Sequence, residues 1–283
     1  MDAVPETSAR RDYPLSEQDF QRVRALVYAQ IGISLADNKR ALVYGRLSRR
    51  LRALQLADFD SYLNLLERGG GEELQHFHNA ITTNLTSFFR ERHHFEYLAT
   101  QLLPALERRG AQARRLRIWS AGCSSGEEPY SIAMVIRETL GELRDWDVRV
   151  LATDVDTSVL DHARAGCYVA ERMEKLESAR VQRWFSREAG GQRYRICDEI
   201  KSLVSFKALN LVQAWPMRGK FAAIFCRNVV IYFDRDTQRR IFARMQALQR
   251  AGDHLFLGHS ESLLSISSDY RLAGQTIYRK CPP

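Results

Sequence analysis

Nowhere in the 283 residues do eighteen apolar residues run together, so the chain offers no candidate membrane-spanning helix. Paired cysteines are missing too. Cys123, Cys167, Cys197, Cys226 and Cys281 are scattered, odd in number and free of any C-x-x-C spacing, which argues against a zinc site or disulfide frame and predicts reduced thiols. Arg10 and Arg11 are followed by no apolar segment, so an unexported, soluble, cytoplasmic protein is expected. The seven histidines, adjacent His93 and His94 included, show no paired spacing with acids or thiols; no metal is expected, and His76 and His78 are read as solvent-facing or locally bonded. Internal repeats and low-complexity tracts are absent. Acids are outnumbered, 34 against 42 Lys and Arg, for a net charge of +8. Such a balance suits nucleic acid, an anionic membrane surface or an acidic protein, and by itself does not choose among them.

What is present is enough for two domains, with 45% hydrophobic residues to build cores. Residues 1–14 read as a disordered lead and 15–81 as a helical N-terminal domain. Ser16 and Asp19 suit the start of a helix whose stripe is Phe20, Val23, Val27 and Ile31. A second helix from about Asn38 sets Val43, Leu47, Leu51 and Leu54 on one face and Lys39, Arg46, Arg49 and Arg50 on the other. That basic face is either solvated surface or a ridge for an acidic partner. Two shorter helices follow, one opened by Asp58 or Asp60 and one from Glu72 to about Ile81. Residues 82–115 read as a linker, polar at first and then aromatic, with a connecting helix.

From residue 116 the pattern alternates: strand 116–121, helix 128–140, strand 148–154, helix 157–165, strands 202–207 and 221–226, helix 236–250, strand 254–258. Alternation predicts a mostly parallel α/β sheet, closed here by an antiparallel pair around Tyr270-Arg271-Leu272 and Thr276-Ile277-Tyr278. About 166–201 exceeds an ordinary connection and, with Gly190-Gly191 between aromatic segments, predicts a small β insert. Ligands of open α/β sheets bind at the carboxyl ends of the strands. The first predicted strand ends in Gly122-Cys123-Ser124-Ser125-Gly126-Glu127-Glu128, small residues entering a helix, which lets backbone approach a ligand. The loop lacks the G-x-G-x-x-G spacing, so phosphate is an unexpected guest. Glu127 and Glu128 fit a helix cap and a ligand contact equally well. The second strand ends in Asp154-Val155-Asp156, where Asp154 suits ribose hydroxyls and Asp156 suits the cap of the next helix. Acids with no phosphate signature fit S-adenosylmethionine, which carries ribose and positive charge, better than a dinucleotide.

Thr82-Thr83-Asn84-Leu85-Thr86-Ser87-Phe88-Phe89-Arg90, Gly126-Glu127-Glu128-Pro129-Tyr130-Ser131, Asp154-Val155-Asp156, Phe225-Cys226-Arg227-Asn228-Val229-Val230-Ile231-Tyr232-Phe233 and Leu257-Gly258-His259-Ser260-Glu261 closely resemble the chemotaxis receptor methyltransferases, the CheR family. The resemblance runs from the basic helices to the closing hairpin. It implies a class I S-adenosylmethionine-dependent methyltransferase, preceded by a small all-α domain, that methylates glutamate side chains on chemoreceptor signalling helices. It also implies a cofactor site at Asn84, Thr86, Arg90, Glu128, Asp154, Asn210, Leu211, Arg227 and Asn228, to which the glycine-loop reading adds Gly122, with Arg90 and Tyr232 flanking the reacting methyl. Glu127 is then left as the cap, and the ridge of Lys39, Arg46, Arg49 and Arg50 becomes the docking face for acidic receptor helices. The insert matches the position at which some family members dock a tethering peptide from a receptor's C-terminus. A monomer is expected.

A glutamate carboxylate is already nucleophilic at neutral pH, so the transfer needs alignment and exclusion of water, not a strong base. Arg90 is expected to position the acceptor and Tyr232 to hydrogen-bond near the transferring group. A nucleic-acid methyltransferase is the nearest alternative, disfavoured because amino-methylating enzymes of that kind carry Asn or Asp before Pro-Pro-aromatic where this chain has Arg227-Asn228-Val229-Val230. A non-catalytic protein that binds cofactor or docks on receptors is the other.

Overall fold

The computed structural model describes residues 13–108 and 114–282, which form two compact units. The first comprises the described residues up to Gln30 together with Ser34–Ile81 and is helical: α1 (Glu17–Ile31), α2 (Arg40–Ala53, entered through a 3-10 turn at Asp37–Lys39), α3 (Phe59–Glu67) and α4 (Glu72–Ile81). Asp58 starts α3 by accepting the Ser61 N–H at 2.8 Å, supplying one of the acceptors that a helix N-terminus lacks. The stripe Phe20, Val23 and Val27 is buried, as are Val43, Leu47 and Leu51, joined by Phe59, Tyr62 and Phe77.

Four expectations change here. Leu54 follows the last helical residue of α2 and is exposed, because the apolar stripe ends a turn earlier. Arg50 is no surface ridge member. Its guanidinium meets the buried Glu73 carboxylate at 2.9 and 2.6 Å, and Tyr62 donates to the same carboxylate at 2.8 Å. His78 is buried with its Nε2 unbonded among the described residues, and burial pulls its pKa down. Residues 1–12 of the proposed lead lie outside the described residues, while Tyr13, counted with it, is buried.

The second unit comprises Ile31–Ile33 and Thr82–Pro283. The stretch 82–115 is therefore not a linker between domains but part of this unit, carrying α5 (His93–Tyr97), a π-helical turn (Leu98–Leu102) and α6 (Leu103–Glu107). Then come β1 (Arg115–Ala121), α7 (Glu127–Leu140), β2 (Asp147–Asp154), α8 (Thr157–Ala165), β3 (Cys167–Val169), α9 (Ser178–Trp184), β4 (Phe185–Arg187), β5 (Arg193–Ile196), α10 (Asp198–Lys201), β6 (Val204–Ala208), β7 (Ala223–Cys226), α11 (Arg235–Ala247), β8 (His254–Leu257), β9 (Tyr270–Gly274) and β10 (Ile277–Lys280).

Seven strands form one sheet in the order β6-β2-β1-β7-β8-β10-β9, parallel from β6 through β8, with β10 and β9 antiparallel. Side-chain alternation along a strand sorts the core into two layers. Ile118, Phe225 and Phe256 pack with α7 on one face, Phe225 and Phe256 stacked at 4.1 Å; Trp119, Ile224 and Leu255 pack with α11 on the other. A sheet covered on both faces explains why β7, Ala-Ile-Phe-Cys, reads as a continuous apolar run. The insert after α8 folds as a separate sheet, β3-β5-β4. Strand order reverses at β1, whose neighbours are β2 and β7, and the carboxyl ends of those three strands lie together. No helix among the described residues is long and apolar enough to cross a membrane.

Candidate active site

β1 runs directly into Gly122, whose N–H bonds the Thr153 carbonyl at 2.8 Å and whose φ is +79°. A Cβ there would lie 2.3 Å from Val229 Cγ2, so only glycine lets the loop after β1 pass the loop after β7. Gly126, at φ +98°, starts α7 where a Cβ would strike Ala163 and the Tyr168 hydroxyl. Between them Ser124 donates its N–H to Asp154 Oδ2 at 2.8 Å, fastening the glycine loop to the end of β2. The other Asp154 oxygen accepts the Asp156 N–H at 3.0 Å. Burial raises the Asp154 pKa, and its backbone hydrogen bonds only partly offset that.

Glu128, in the first turn of α7, is buried; Ser120 donates to Oε1 at 2.7 Å and Arg227 Nη1 to Oε2 at 2.9 Å. Burial nevertheless raises its pKa against the pull of Arg227. Arg227 enters from the loop after β7, lies over the Phe95 ring at 5.7 Å and donates through Nη2 to the Arg90 carbonyl. Its buried Nε has no acceptor among the described residues. Asn228, at φ +58°, follows in a loop held by one carboxylate: Glu261 accepts the N–H groups of Gly258, Asn228, Val229, Val230 and Ile231. That loop ends in a 3-10 turn, Val230–Tyr232, which leaves the half-buried Tyr232 hydroxyl without a hydrogen bond among the described residues.

The Thr82–Arg90 stretch folds over these strand ends. Asn84 donates its amide to Asp156 Oδ2 at 2.6 Å and receives the Ser124 hydroxyl on its carbonyl at 3.1 Å. Asp156 also caps α8, accepting the Ser158 N–H at 2.9 Å. The Thr86 carbonyl receives Arg172 of the insert at 2.7 Å. Arg90 donates to the Leu85 carbonyl at 2.8 Å, makes no ion pair among the described residues and lines a cleft of about 310 Å³ with Phe89, Lys175 and Arg180. The Leu209 N–H bonds the Asp154 carbonyl at 2.9 Å, so Asn210 and the buried Leu211 directly follow a residue fastened to the end of β2.

Glu127 stands in the first turn of α7 and is fully buried; Ser125 Oγ donates to one oxygen at 2.7 Å, and the other, with no hydrogen bond among the described residues, lies 3.6 Å from Arg172. Sequence reasoning gave no part to Glu91, His94, Ser120 or Arg172, and gave none to Glu261 although it stands in a quoted motif. Glu91, His93 and His94 also bring three potential ligand atoms within 4.8 Å of one another, although no acid was paired with these histidines from the sequence. The Glu91 oxygen that faces His94 is shared with the Arg227 guanidinium, 3.4 Å away, so a further cation there meets like charge.

The arrangement suits S-adenosylmethionine. Gly122 supplies the close approach, Asp154 has acceptor capacity left for ribose hydroxyls, and two carboxylates whose pKa values are raised by burial favour a cationic guest. Arg227 Nε offers a donor for the cofactor's carboxylate. With the strand order, these features define the class: a class I S-adenosylmethionine-dependent methyltransferase. Sequence comparison then specifies it. Residues 84–279 match the CheR methyltransferase SAM-binding domain and residues 18–82 the CheR methyltransferase all-alpha domain, and the chain belongs to the CheR family. It is 48% identical over 272 residues to chemotaxis protein methyltransferase 2 of Pseudomonas aeruginosa, covering 95% of each chain. It is 46% identical over 269 residues to the chemotaxis protein methyltransferase of Escherichia coli, covering 93% of this chain and 91% of the other.

Proposed function

We propose that the protein transfers the methyl group of S-adenosylmethionine to glutamate side chains on chemoreceptor signalling helices, forming glutamate methyl esters for sensory adaptation. The observation that carries this reading is Arg90: its carbonyl is held by Arg227, and its guanidinium donates to the Leu85 carbonyl and is unpaired with any described carboxylate. When bound, the cofactor supplies an activated methyl on a cationic sulfur. The acceptor carboxylate oxygen forms the new bond to carbon as the carbon–sulfur bond breaks, its electrons staying on sulfur, and no proton moves. Arg90 therefore has to orient the acceptor without quenching it, and a guanidinium already shared with Leu85 is a moderate partner. Tyr232, with its free hydroxyl, hydrogen-bonds near the transferring group. Arg227, Glu128, Asp154, Asn210, Leu211, Asn228, Gly122, Asn84 and Thr86 hold the cofactor and shape its loops.

Receptor docking falls to the first unit. Lys39 and Arg49 are exposed there, whereas Arg46 donates to the Ile81 carbonyl at 2.7 Å and Arg50 is tied to Glu73. The cations that remain exposed are those we read as meeting acidic receptor helices. β3 and β4 are the edges of the insert sheet, and an edge strand's unpaired N–H and C=O groups suit a receptor C-terminal peptide added as a further strand. The protein is read as a cytoplasmic monomer.

The test is incubation with methyl-labelled S-adenosylmethionine and receptor-bearing membranes. Base-labile label on receptors is the expected result, since a methyl ester hydrolyses in base. Base-stable label, label on nucleic acid, or no transfer would overturn the reading.

A further inference from the structure

Glu91 has no part in the cofactor or acceptor roles assigned so far, yet its placement is costly. Its φ is +57°, a left-handed conformation that a non-glycine residue adopts at an expense of about 1 kcal/mol or more. Its side chain is 11% exposed, with Oε2 3.4 Å from Arg227 Nη2 and Oε1 3.1 Å from His259 Nδ1. Burial pushes its pKa up, but Arg227 and His259 outweigh this and hold it at about 2. Charge neutralisation does not explain the arrangement, because Glu128 already pairs with Arg227. A second carboxylate beside one guanidinium, in a strained backbone, adds what the first does not: a charge contact at 3.4 Å, without a hydrogen bond among the described residues, on Nη2, the nitrogen that donates to the Arg90 carbonyl. The carbonyl of residue 90 accepts from the same nitrogen that the carboxylate of residue 91 attracts.

We propose that Glu91 is a positioning residue which, through Arg227, fixes the Arg90 peptide and so the direction in which the Arg90 guanidinium meets the acceptor. The inference rests on the acceptor-orienting part given to Arg90 above. Glu91→Gln keeps the shape and one acceptor but loses the charge; Glu91→Asp keeps the charge on a shorter arm.

The experiment measures initial rates with receptor-bearing membranes, cofactor affinity by equilibrium dialysis, and folding by circular dichroism, for both variants in wild-type and Arg90→Ala backgrounds. Glu91→Gln is expected to lower kcat about tenfold while receptor KM stays within about twofold, and Glu91→Asp to recover part of the loss. In the Arg90→Ala background the same change is expected to cost less than about twofold, because residues that act as a unit are not additive. A change confined to KM, full additivity with Arg90→Ala, or unaltered kcat would overturn the proposal. Should Glu91→Gln not fold, Glu91→Asp carries the same additivity test. Should the wild type transfer no methyl, the functional reading falls by itself; Glu91→Gln is then judged on cofactor affinity, where a loss of about threefold or more supports the hold on Arg227 and an unchanged value overturns it.

Discussion

Arg227 and Glu128 meet as a buried ion pair, Nη1 to Oε2 at 2.9 Å, with side chains 2% and 11% exposed. Removing one partner strands the other charge away from water, which in buried pairs costs about 3–5 kcal/mol, whereas removing both costs much less. Arg227→Met and Glu128→Gln are each expected to destabilise the protein. The double variant should lose clearly less than the sum. A double-mutant cycle by chemical denaturation reads this coupling, and additivity within about 0.5 kcal/mol would show that the pair is not coupled.

Gly122→Ala meets two obstacles at once. The residue sits at φ +79°, and its new Cβ would stand 2.3 Å from Val229 Cγ2. The left-handed backbone costs about 1 kcal/mol and the overpacking about 1–3 kcal/mol more. Adding Val229→Ala relieves the second term and leaves the first. Stability by denaturation, with cofactor affinity alongside, should show partial rescue; complete rescue would mean that the backbone carries no strain.

Glu261 holds four N–H groups of the loop that bears Asn228 and Tyr232, and a fifth from Gly258 after β8. Glutamine offers one acceptor oxygen and turns an amide donor towards other donors. Hydrogen bonds to a charged acceptor contribute about 1.5–3 kcal/mol each and are not additive, so Glu261→Gln is expected to cost about 3 kcal/mol in all. Methyl transfer should fall with it, since Tyr232 loses its platform. Unchanged melting and turnover would show that the loop is held by packing.

Where elements have strong local signals, the sequence was a good guide. The start and end of α8 were readable because Asp156 caps it and the pattern behind it is regular. The alternation from residue 116 onward disclosed a parallel sheet, but not that β10 lies between β8 and β9, since the order of a closing hairpin is set by pairing across the chain. Site residues with a strand end behind them, Asp154 above all, could be placed from spacing. Glu91 and Glu261 could not, because their partners Arg227 and the amides of residues 228–231 are remote in sequence; Ser120 lies only eight residues from Glu128, but nothing in its strand position signals the bond. The same cause hid Glu73, which takes Arg50 away from the basic face. A helical wheel shows which way a side chain leaves its helix, not which buried acid another helix offers it.

His94 makes the fold sensitive to acid. Burial, with Arg227 and His93 adding to it and Glu91 opposing, lowers its pKa from 6.5 to about 3. The unfolded chain therefore takes up a proton that the folded chain refuses. The resulting stability is complete above pH 6.5 and is lost as pH falls towards about 3, by at most about 1.4 kcal/mol per pH unit. Glu128, Asp154 and Glu261, raised by burial, act in the opposite sense, but a variant shares them. His94→Gln should be less stable than the wild type at pH 7, because it loses the ring's hydrogen bond with Thr276 at 2.9 Å and its edge contact with Phe256, and the gap should close towards pH 4.5, because only the wild type carries the titration. Parallel stability curves would rule out His94 as the source.

Lys39 and Arg49 are exposed, while Arg50 shares the same helical region but is bound to Glu73, whose side chain is 8% exposed. Charge reversal can therefore separate docking from folding. Lys39→Glu with Arg49→Glu should leave melting and cofactor affinity close to wild type, because surface charges of this kind contribute about 0–1 kcal/mol to stability. Receptor methylation should fall, mainly through KM. The loss should be largest at low salt, since screening over about 10 Å at 0.1 M removes much of the attraction in either protein. Arg50→Ala should do the reverse, lowering stability by about 3 kcal/mol as Glu73 loses its counter-charge, with its effect on KM following unfolding. Melting curves and salt-dependent methylation kinetics on the two variants distinguish these outcomes. If the exposed pair can be reversed without raising KM at low ionic strength, the basic face is solvated surface and the receptor docks elsewhere.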